Sequence, residues 1–232
     1  MALALDLRSP LLVVVGQFNP AIFEFPWIAK HILEADEGDA VQALEVIMQL
    51  GNVGMRLQFF EGVAINVQPG RTELLVQNGD ADSFKAAEDR LTKLLEVLPH
   101  TPVAAIGCNF RFNDPQPPQD IIELFDTPEG LEGEFTINSR QSTTQLQVEG
   151  GVLNFSRTLS DAGCDFSFNY HRDETDAQKY ADFVPGMVKA HLDHAAHLLA
   201  TTFGYEAFEK LSFVTEVEPG EKADEQPIEA EH

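Results

Sequence analysis

The sequence predicts an α+β fold, in which a largely antiparallel sheet is covered by two long helices. Segments with the two-residue alternation of β-strands occur in groups, and each group precedes one segment with the 3.6-residue periodicity of a helix. This order indicates two β-β-β-α halves, at about residues 1–113 and 119–213. Neither G-x-G-x-x-G nor a Walker loop follows a strand, which argues against a nucleotide-binding parallel sheet.

The strands of the first half are predicted from apolar runs and from alternation. The run of five apolar residues that starts at Leu11 is long enough for one buried strand, and Pro69-Gly70 supplies the turn of a hairpin. Alternation of apolar and other side chains predicts the remaining strands. The predicted strands lie at 11–15, 55–59, 63–67, 73–77 and 103–112.

A helix at about residues 83–98 is predicted between the last two of these strands. Asp82 and Ser83 are favourable N-cap residues, and Pro99 ends the helix. Apolar residues recur on one face between them, at Phe84, Ala87, Leu91, Leu94, Leu95 and Leu98. A loop at 113–118 and a short helix at 119–125 are predicted to follow.

The second half repeats the order of strands and helix. Thr175 to Gln178 match a capping box, which predicts a long helix at 176–203 with a kink or break at Pro185-Gly186. Its predicted inner face consists of Tyr180, Val184, Met187, Val188, His191, Ala195, Leu198 and Thr202. The predicted strands lie at 133–138, 144–148, 152–159 and 164–170.

The C-terminal segment 214–232 differs from the rest of the chain in composition. It carries seven acidic residues, one basic residue, two prolines and no aromatic residue. Such a segment buries too little apolar surface to offset the entropy of ordering, so we predict a disordered acidic tail. Residues 1–213 are then expected to form a single α+β domain.

Charge is the strongest feature of the composition. The 232 residues contain 38 acidic and 15 basic side chains, a formal net charge of −23. This charge argues against direct binding to nucleic acid or anionic lipid, because both are polyanions. No apolar run approaches the roughly 20 residues of a membrane helix, and no secretory signal is recognised, so a cytoplasmic location is the expectation. The two cysteines, Cys108 and Cys164, form no disulfide framework, which agrees with a reducing setting.

Three histidines, His191, His194 and His197, occupy one predicted helix at a spacing that suits metal binding. At about 100° per residue they fan out over about 120° of the helix surface. We therefore predict no metal and no cofactor. The alternative is a metal held by a pair, either His191 with His194 or His194 with His197.

The other side chains that could take part in catalysis or binding are interpreted as structural. His171, which precedes acidic residues at a strand end, is a candidate general base without a nucleophile to serve. Cys108 and Cys164 lie in phase with phenylalanines, which is typical of core thiols. The aromatic segment 18–27 is expected to cap the core, the alternative being an exposed binding edge.

One strand motif resembles that of a known family. The run His100-Thr-Pro-Val-Ala-Ala-Ile-Gly-Cys-Asn109 is similar to the strand-entry motif of a sporadically distributed family of uncharacterised bacterial proteins. That family also has an Asn-Pro segment after its first strand, as at Asn19-Pro20, and ends a late strand with Asn and His, as at Asn169 and His171. The resemblance implies a bacterial α+β protein and supplies no catalytic residues.

Two hypotheses about function follow. The first is a non-enzymatic, strongly acidic interaction protein that engages a basic partner protein, with mimicry of nucleic acid as one form of it. A solubilising role for the charge is the rival explanation, and a homo-oligomer is compatible with both. The second hypothesis is an enzyme with a site assembled around His171 and the His191/His194 helix. The sequence assigns catalytic roles to none of these residues.

Overall fold

The strands of the protein form one large sheet. The computed structural model describes residues 3–34, 45–48, 55–59, 62–125, 136–205 and 212–214. Within these ranges the strands are β1 (Ala4–Asp6), β2 (Leu12–Gly16), β3 (Glu45–Met48), β4 (Met55–Gln58), β5 (Val63–Gln68), β6 (Arg71–Val76), β7 (Val103–Asp114), β8 (Ser139–Val148), β9 (Gly151–Ser160), β10 (Gly163–Asp173) and β11 (Ser212–Val214).

Five α-helices lie within the same described ranges. They are α1 (Phe25–His31), α2 (Ala81–Val97), α3 (Gln119–Glu123), α4 (Ala177–Phe183) and α5 (Met187–Phe203), with a 3-10 turn at Pro20–Ile22 before α1. None of the helices in the described ranges is long and apolar enough to cross a membrane.

The sheet confirms the predicted α+β class. Nine strands neighbour one another in the order β3-β4-β5-β6-β2-β7-β10-β9-β8, and every pairing along this path is antiparallel. Strand β1 pairs with β7 and, in parallel, with β11. The strands of the first half of the chain therefore lie at one end of the strand order and those of the second half at the other. The two sets meet at the pairing of β7 with β10.

Helix α2 lies close to its predicted position. Its N-cap is Asp80, whose carboxylate accepts the backbone N–H of Ser83 at 2.7 Å. The apolar stripe of the helix is buried on the sheet, at Phe84, Ala87, Leu91, Leu94 and Leu95. The amphipathic spacing thus places the helix correctly, and the cap lies two residues earlier than expected.

The second long helix, predicted at 176–203, is two helices. Helix α4 ends before Pro185, and Gly186, at φ +80°, is the N-cap residue of α5. Near the end of α5, Leu199 and Phe203 are buried, whereas Thr202, which was predicted to face inward, is exposed. The predicted kink or break is at the expected residues, and of the eight predicted inner residues only Thr202 is exposed.

The prediction of separate strands at 133–138 and 144–148 is also corrected. Residues 133–135 lie outside the described residues, and 136–138 are not in a strand. Strand β8 instead begins at Ser139 and runs without a break to Val148. Its side chains alternate between exposed and half-buried for most of its length, so its first half lacks the apolar alternation from which strands are predicted.

Aromatic packing between the sheet and α5 accounts for much of the high phenylalanine content. The Phe166 ring lies 5.2 Å from that of Phe203 and 5.5 Å from that of Tyr205, and Phe155 contacts Phe168 at 4.9 Å between centroids. All of these rings are buried. The phenylalanines of β9 and β10 therefore form core, as the alternation predicts.

The aromatic segment 18–27 was predicted to cap the core, with an exposed binding edge as the alternative, and it has features of both. Phe18 and Phe23 are buried, and Trp27 meets Phe23 edge to face at 5.3 Å between centroids. Phe25, at the start of α1, is 45% exposed. The segment caps the core with most of its rings and presents one of them to solvent.

The predicted boundary between the domain and the C-terminal tail moves by one residue. Val214, the first residue of the predicted tail, lies in β11 opposite Asp6. Residues 215–232, which hold all seven acidic residues of the predicted tail, lie outside the described residues.

Candidate functional site

An open groove of about 820 Å³ lies between the β8–β9 turn, the end of β10 and the α4–α5 junction. Charged and aromatic side chains share its lining with the turn backbone. They include Glu149, Tyr170, Arg172, Phe183 and His194, and the apolar Met187 also lines the groove. The groove brings together residues from three segments that are distant in sequence.

Strand alternation decides which residues of β10 enter the groove. Tyr170 and Arg172 point towards the helices, where Tyr170 contacts His191 and Arg172 contacts Phe183. His171 lies between them in sequence and therefore points to the other face, where its Nε2 is 2.8 Å from an Asp173 carboxylate oxygen. The structure thus separates His171 from the histidines of α5.

Tyr170 and the α5 histidines form a packed cluster. The Tyr170 hydroxyl is hydrogen-bonded to His194 Nδ1 at 2.8 Å, and its ring stacks on His191 with centroids 4.1 Å apart and planes at 11°. Burial raises the pKa of Tyr170, and burial also lowers the pKa of His191 to about 4, with His194 adding to the shift. At neutral pH this pair therefore consists of an uncharged phenol and an uncharged imidazole.

The histidine arrangement bears on the metal hypothesis. His191 is half-buried against Tyr170, and His194 uses Nδ1 for the Tyr170 hydroxyl although its side chain is exposed. His197 is exposed further along α5. Within the described part of the chain, no group of three or more His, Cys, Asp or Glu side chains has a geometry that could hold a metal ion.

Arg172 is the cation of the groove. Its guanidinium carbon lies 3.8 Å from the centroid of the Phe183 ring, a close cation–π contact. The β8–β9 turn passes on another side, and a Cβ added to Gly150 would lie only 3.1 Å from Arg172 Nη1. Gly150 also has φ +76°, a backbone conformation that favours glycine, and a Cβ added there would have to displace the guanidinium by a few tenths of an ångström.

The two cysteines belong to the core. Both Cys108 and Cys164 are buried and unpaired. Burial raises the pKa of Cys108 well above its usual range, and burial together with Asp165 raises that of Cys164 to about 12. Both thiols are therefore protonated at neutral pH and poorly nucleophilic.

The asparagines of the family-like motif meet on the opposite face of the sheet. Asn169 donates to Asn109 Oδ1 at 2.6 Å and accepts from Asn154 at 3.0 Å, and Gln145 donates to Asn154 at 3.0 Å. These four side chains are cross-strand partners in register, and they form an amide ladder across β8, β9, β10 and β7. Asn109 extends it by donating to the Pro10 carbonyl at 3.2 Å.

Asn19, from the same resemblance, also has a structural task. Its side-chain oxygen accepts the backbone N–H of Ala21 at 3.1 Å and so caps the 3-10 turn. The motif residues Asn19, Asn109 and Asn169 therefore organise a turn and a sheet face. None of the three lines the groove.

Negative charge is unevenly distributed along the chain. The described ranges contain 21 acidic and 13 basic side chains, a net charge of −8. The remaining ranges contain 17 acidic and two basic side chains, a net charge of −15. Most of this second set lies in 35–44, 126–135 and 215–232, which together hold 14 acidic residues and one basic residue.

Comparisons with known proteins supply no assignment of function, so the function is argued from the residues of the chain alone. No family model, no curated protein and no solved structure matches the chain. The sequence had singled out His191 and His194 but missed Arg172 and Phe183. Helical periodicity in a sequence indicates which residues are buried. It does not indicate that Arg172, at the end of a strand, packs against the Phe183 ring.

Proposed function

We propose that the protein is a non-enzymatic, strongly acidic interaction protein that engages a basic protein partner through its acidic segments. The observation that carries this proposal is the concentration of charge in the sequence, with 14 acidic residues and one basic residue in 35–44, 126–135 and 215–232. Acidic segments of this density attract a basic surface and accelerate encounter with it. To a partner that otherwise binds nucleic acid, these acidic segments would present negative charge in place of the phosphates.

The distribution of charge favours this function over solubility alone. A solubilising role needs only a net charge spread over the surface, and the described ranges already carry −8. A further −13 lies in 35–44, 126–135 and 215–232, which have one compensating base, and this is the pattern of an interaction segment. The proposal therefore assigns partner binding to these three acidic segments.

The chemistry of the two buried thiols also favours a protein that binds over one that catalyses. A catalytic cysteine or tyrosine needs a lowered pKa or an adjacent base that activates it. Burial instead raises the pKa values of Cys108 and Cys164, and neither thiol lines the groove. These groups are stabilised in their protonated, weakly nucleophilic forms.

An enzyme that uses the α5 histidines is the second candidate. The hydrogen bond between Tyr170 and His194, at the edge of an open groove, is the observation that favours it. Such an enzyme would use His194 as its base, because His171 points to the other face of the sheet. A hydrolytic or transfer activity that is lost in His194→Ala and kept in His171→Ala would support this candidate.

A capture experiment tests the proposed function. The full chain and a variant with the seven tail acids replaced by Gln or Asn are immobilised and compared for partners from the native host. A third bait, in which the tail sequence is permuted at constant charge, is the matched control. We expect the full chain and the permuted chain to retain the same basic protein and the neutralised chain to lose most of it.

The partner is then tested for competition with DNA. If the protein acts as a nucleic acid mimic, added DNA displaces it from the captured partner. Retention of the same partner by the neutralised chain, or direct retention of DNA by the full chain, would contradict the proposal.

A further inference from the structure

We propose that the groove beside Arg172 is a binding site for a small organic monocarboxylate with an apolar body. This inference is independent of the acidic segments and of the partner proposed above. It rests on the Arg172 side chain, on the apolar wall next to it and on the acidic residues at the rim of the groove.

The N–H donors of the Arg172 guanidinium are available for a ligand. It carries five N–H groups, and its side chain forms no hydrogen bond or ion pair with any residue that the structure describes. The side chain is only half-buried, so these donors face the groove. A planar guanidinium with open donors matches the two oxygens of a carboxylate.

Packing holds this guanidinium in place before any ligand arrives. One face lies on the Phe183 ring at 3.8 Å, and Gly150 lies so near that an added Cβ would be 3.1 Å from Arg172 Nη1. Gly151 is equally constrained, because a Cβ there would lie 2.3 Å from the His171 carbonyl oxygen. A donor group that is already oriented loses less entropy on binding, which favours affinity for a matching anion.

The wall beside Arg172 is apolar. Phe183, Met187 and Val148 line the groove together with the neutral His191 ring. Its volume of about 820 Å³ far exceeds the space that a carboxylate group alone would fill. The ligand is therefore expected to extend an alkyl or aryl body along this wall from a carboxylate on Arg172.

Acidic residues select a ligand of low charge. Glu149 and Asp182 also line the groove, and both are exposed. Two carboxylates near a single guanidinium repel a dianion more strongly than a monoanion. This favours a monocarboxylate over a phosphate monoester or a nucleotide.

Calorimetric titration of the full chain tests the inference with 4-phenylbutyrate as the probe. Acetate keeps the carboxylate without the body, 4-phenylbutanol keeps the body without the charge, and inorganic phosphate provides the competing anion. The variants are Arg172→Met, Arg172→Lys and Gly150→Ala. Arg157→Met is the matched control, because the Arg157 guanidinium lies over Phe125 at 5.3 Å and outside the groove.

We expect saturable 1:1 binding of 4-phenylbutyrate that weakens about tenfold or more in Arg172→Met and remains unchanged in Arg157→Met. Arg172→Lys keeps the charge but loses the planar fork, so an intermediate affinity is expected from a variant that folds normally by circular dichroism. Gly150→Ala should weaken binding by displacing the guanidinium. Unchanged affinity in both Arg172 variants would overturn the inference. Equal affinity for 4-phenylbutanol or for inorganic phosphate, or no saturable binding of 4-phenylbutyrate, would overturn it as well.

Discussion

The buried carboxylate of Glu88, in the middle of α2, accepts the backbone N–H of Val188 in the first turn of α5 at 2.6 Å. Its second oxygen accepts the N–H of Gly186 at 2.8 Å. One side chain therefore supplies partners for two of the N–H groups that a helix start leaves open. It also joins the helix of the first half of the chain to the helix of the second, close to the groove.

Replacement of Glu88 by Ala should destabilise the protein. Two N–H groups at the start of α5 would lose a charged acceptor that is only 7% exposed. We expect a loss of about 2–3 kcal/mol and a fall in Tm of about 5–10 °C. Glu96→Ala, on an exposed position of the same helix, is the control for helix propensity and should change Tm little. Equal Tm values for the two variants would contradict the assigned role of Glu88.

Acid should weaken the fold through His191. Its pKa is about 4 in the native protein, and the usual value of about 6.5 applies to the unfolded chain. Between these values the unfolded chain binds a proton that the native protein does not, so stability is fully present above about pH 6.5 and falls as the pH is lowered towards 4.

Urea unfolding at pH 7 and pH 5 measures this contribution. His191→Phe keeps a ring against Tyr170 and should lose less stability between the two pH values than the wild type. His197→Phe, at an exposed position, should behave like the wild type. An identical pH response in all three proteins would show that burial of His191 does not affect stability.

The amide ladder should depend on the donor of Asn169. Asn169→Asp replaces an N–H donor with an acceptor that faces Asn109 Oδ1 at hydrogen-bond distance. We expect a destabilisation of about 1–2 kcal/mol by chemical denaturation. Gln141→Glu adds the same charge to an exposed position of β8 outside the ladder and should cost less than about 0.5 kcal/mol. Comparable losses in the two variants would mean that charge alone explains the effect.

The α5 histidines should bind no metal at physiological concentrations. His194 Nδ1 is engaged by the Tyr170 hydroxyl, and the His191 ring is stacked on Tyr170. Elemental analysis of protein purified without an affinity tag should find no stoichiometric zinc, nickel or iron. One equivalent of metal that disappears in His194→Ala would instead support the paired-histidine alternative and the enzyme hypothesis.

Sequence patterns predict the parts of this fold in which one side of an element is buried. Strands β5 and β10 bury one set of alternating residues, so their alternation is visible in the sequence, whereas β2 is recognised as a continuous apolar run. The first half of β8 lacks a buried side, and its polar residues therefore resemble a loop. Helix α5 keeps its periodicity, and its predicted inner residues are buried or half-buried except Thr202.

The groove could be predicted only in part. The inward position of His191 follows from helical periodicity, and the structure places it against Tyr170. The position of Arg172 depends on contacts among β10, the β8–β9 turn and α4, which are distant in sequence. Separations of this kind leave no periodic signal, and the same applies to the cross-strand ladder through Asn169.

The salt dependence of association with the captured basic partner tests the proposed function most directly. Electrostatically steered association slows as salt screens charges beyond a Debye length of about 8 Å at physiological ionic strength. We predict that the association rate of the full chain falls about tenfold or more between about 0.05 and 0.3 M salt. The neutralised-tail variant should associate more slowly at low salt and respond less to added salt, whereas the permuted tail should match the wild type. A rate that is independent of salt, or equal rates for the neutralised and wild-type chains, would contradict the proposal that the acidic segments recruit a basic partner.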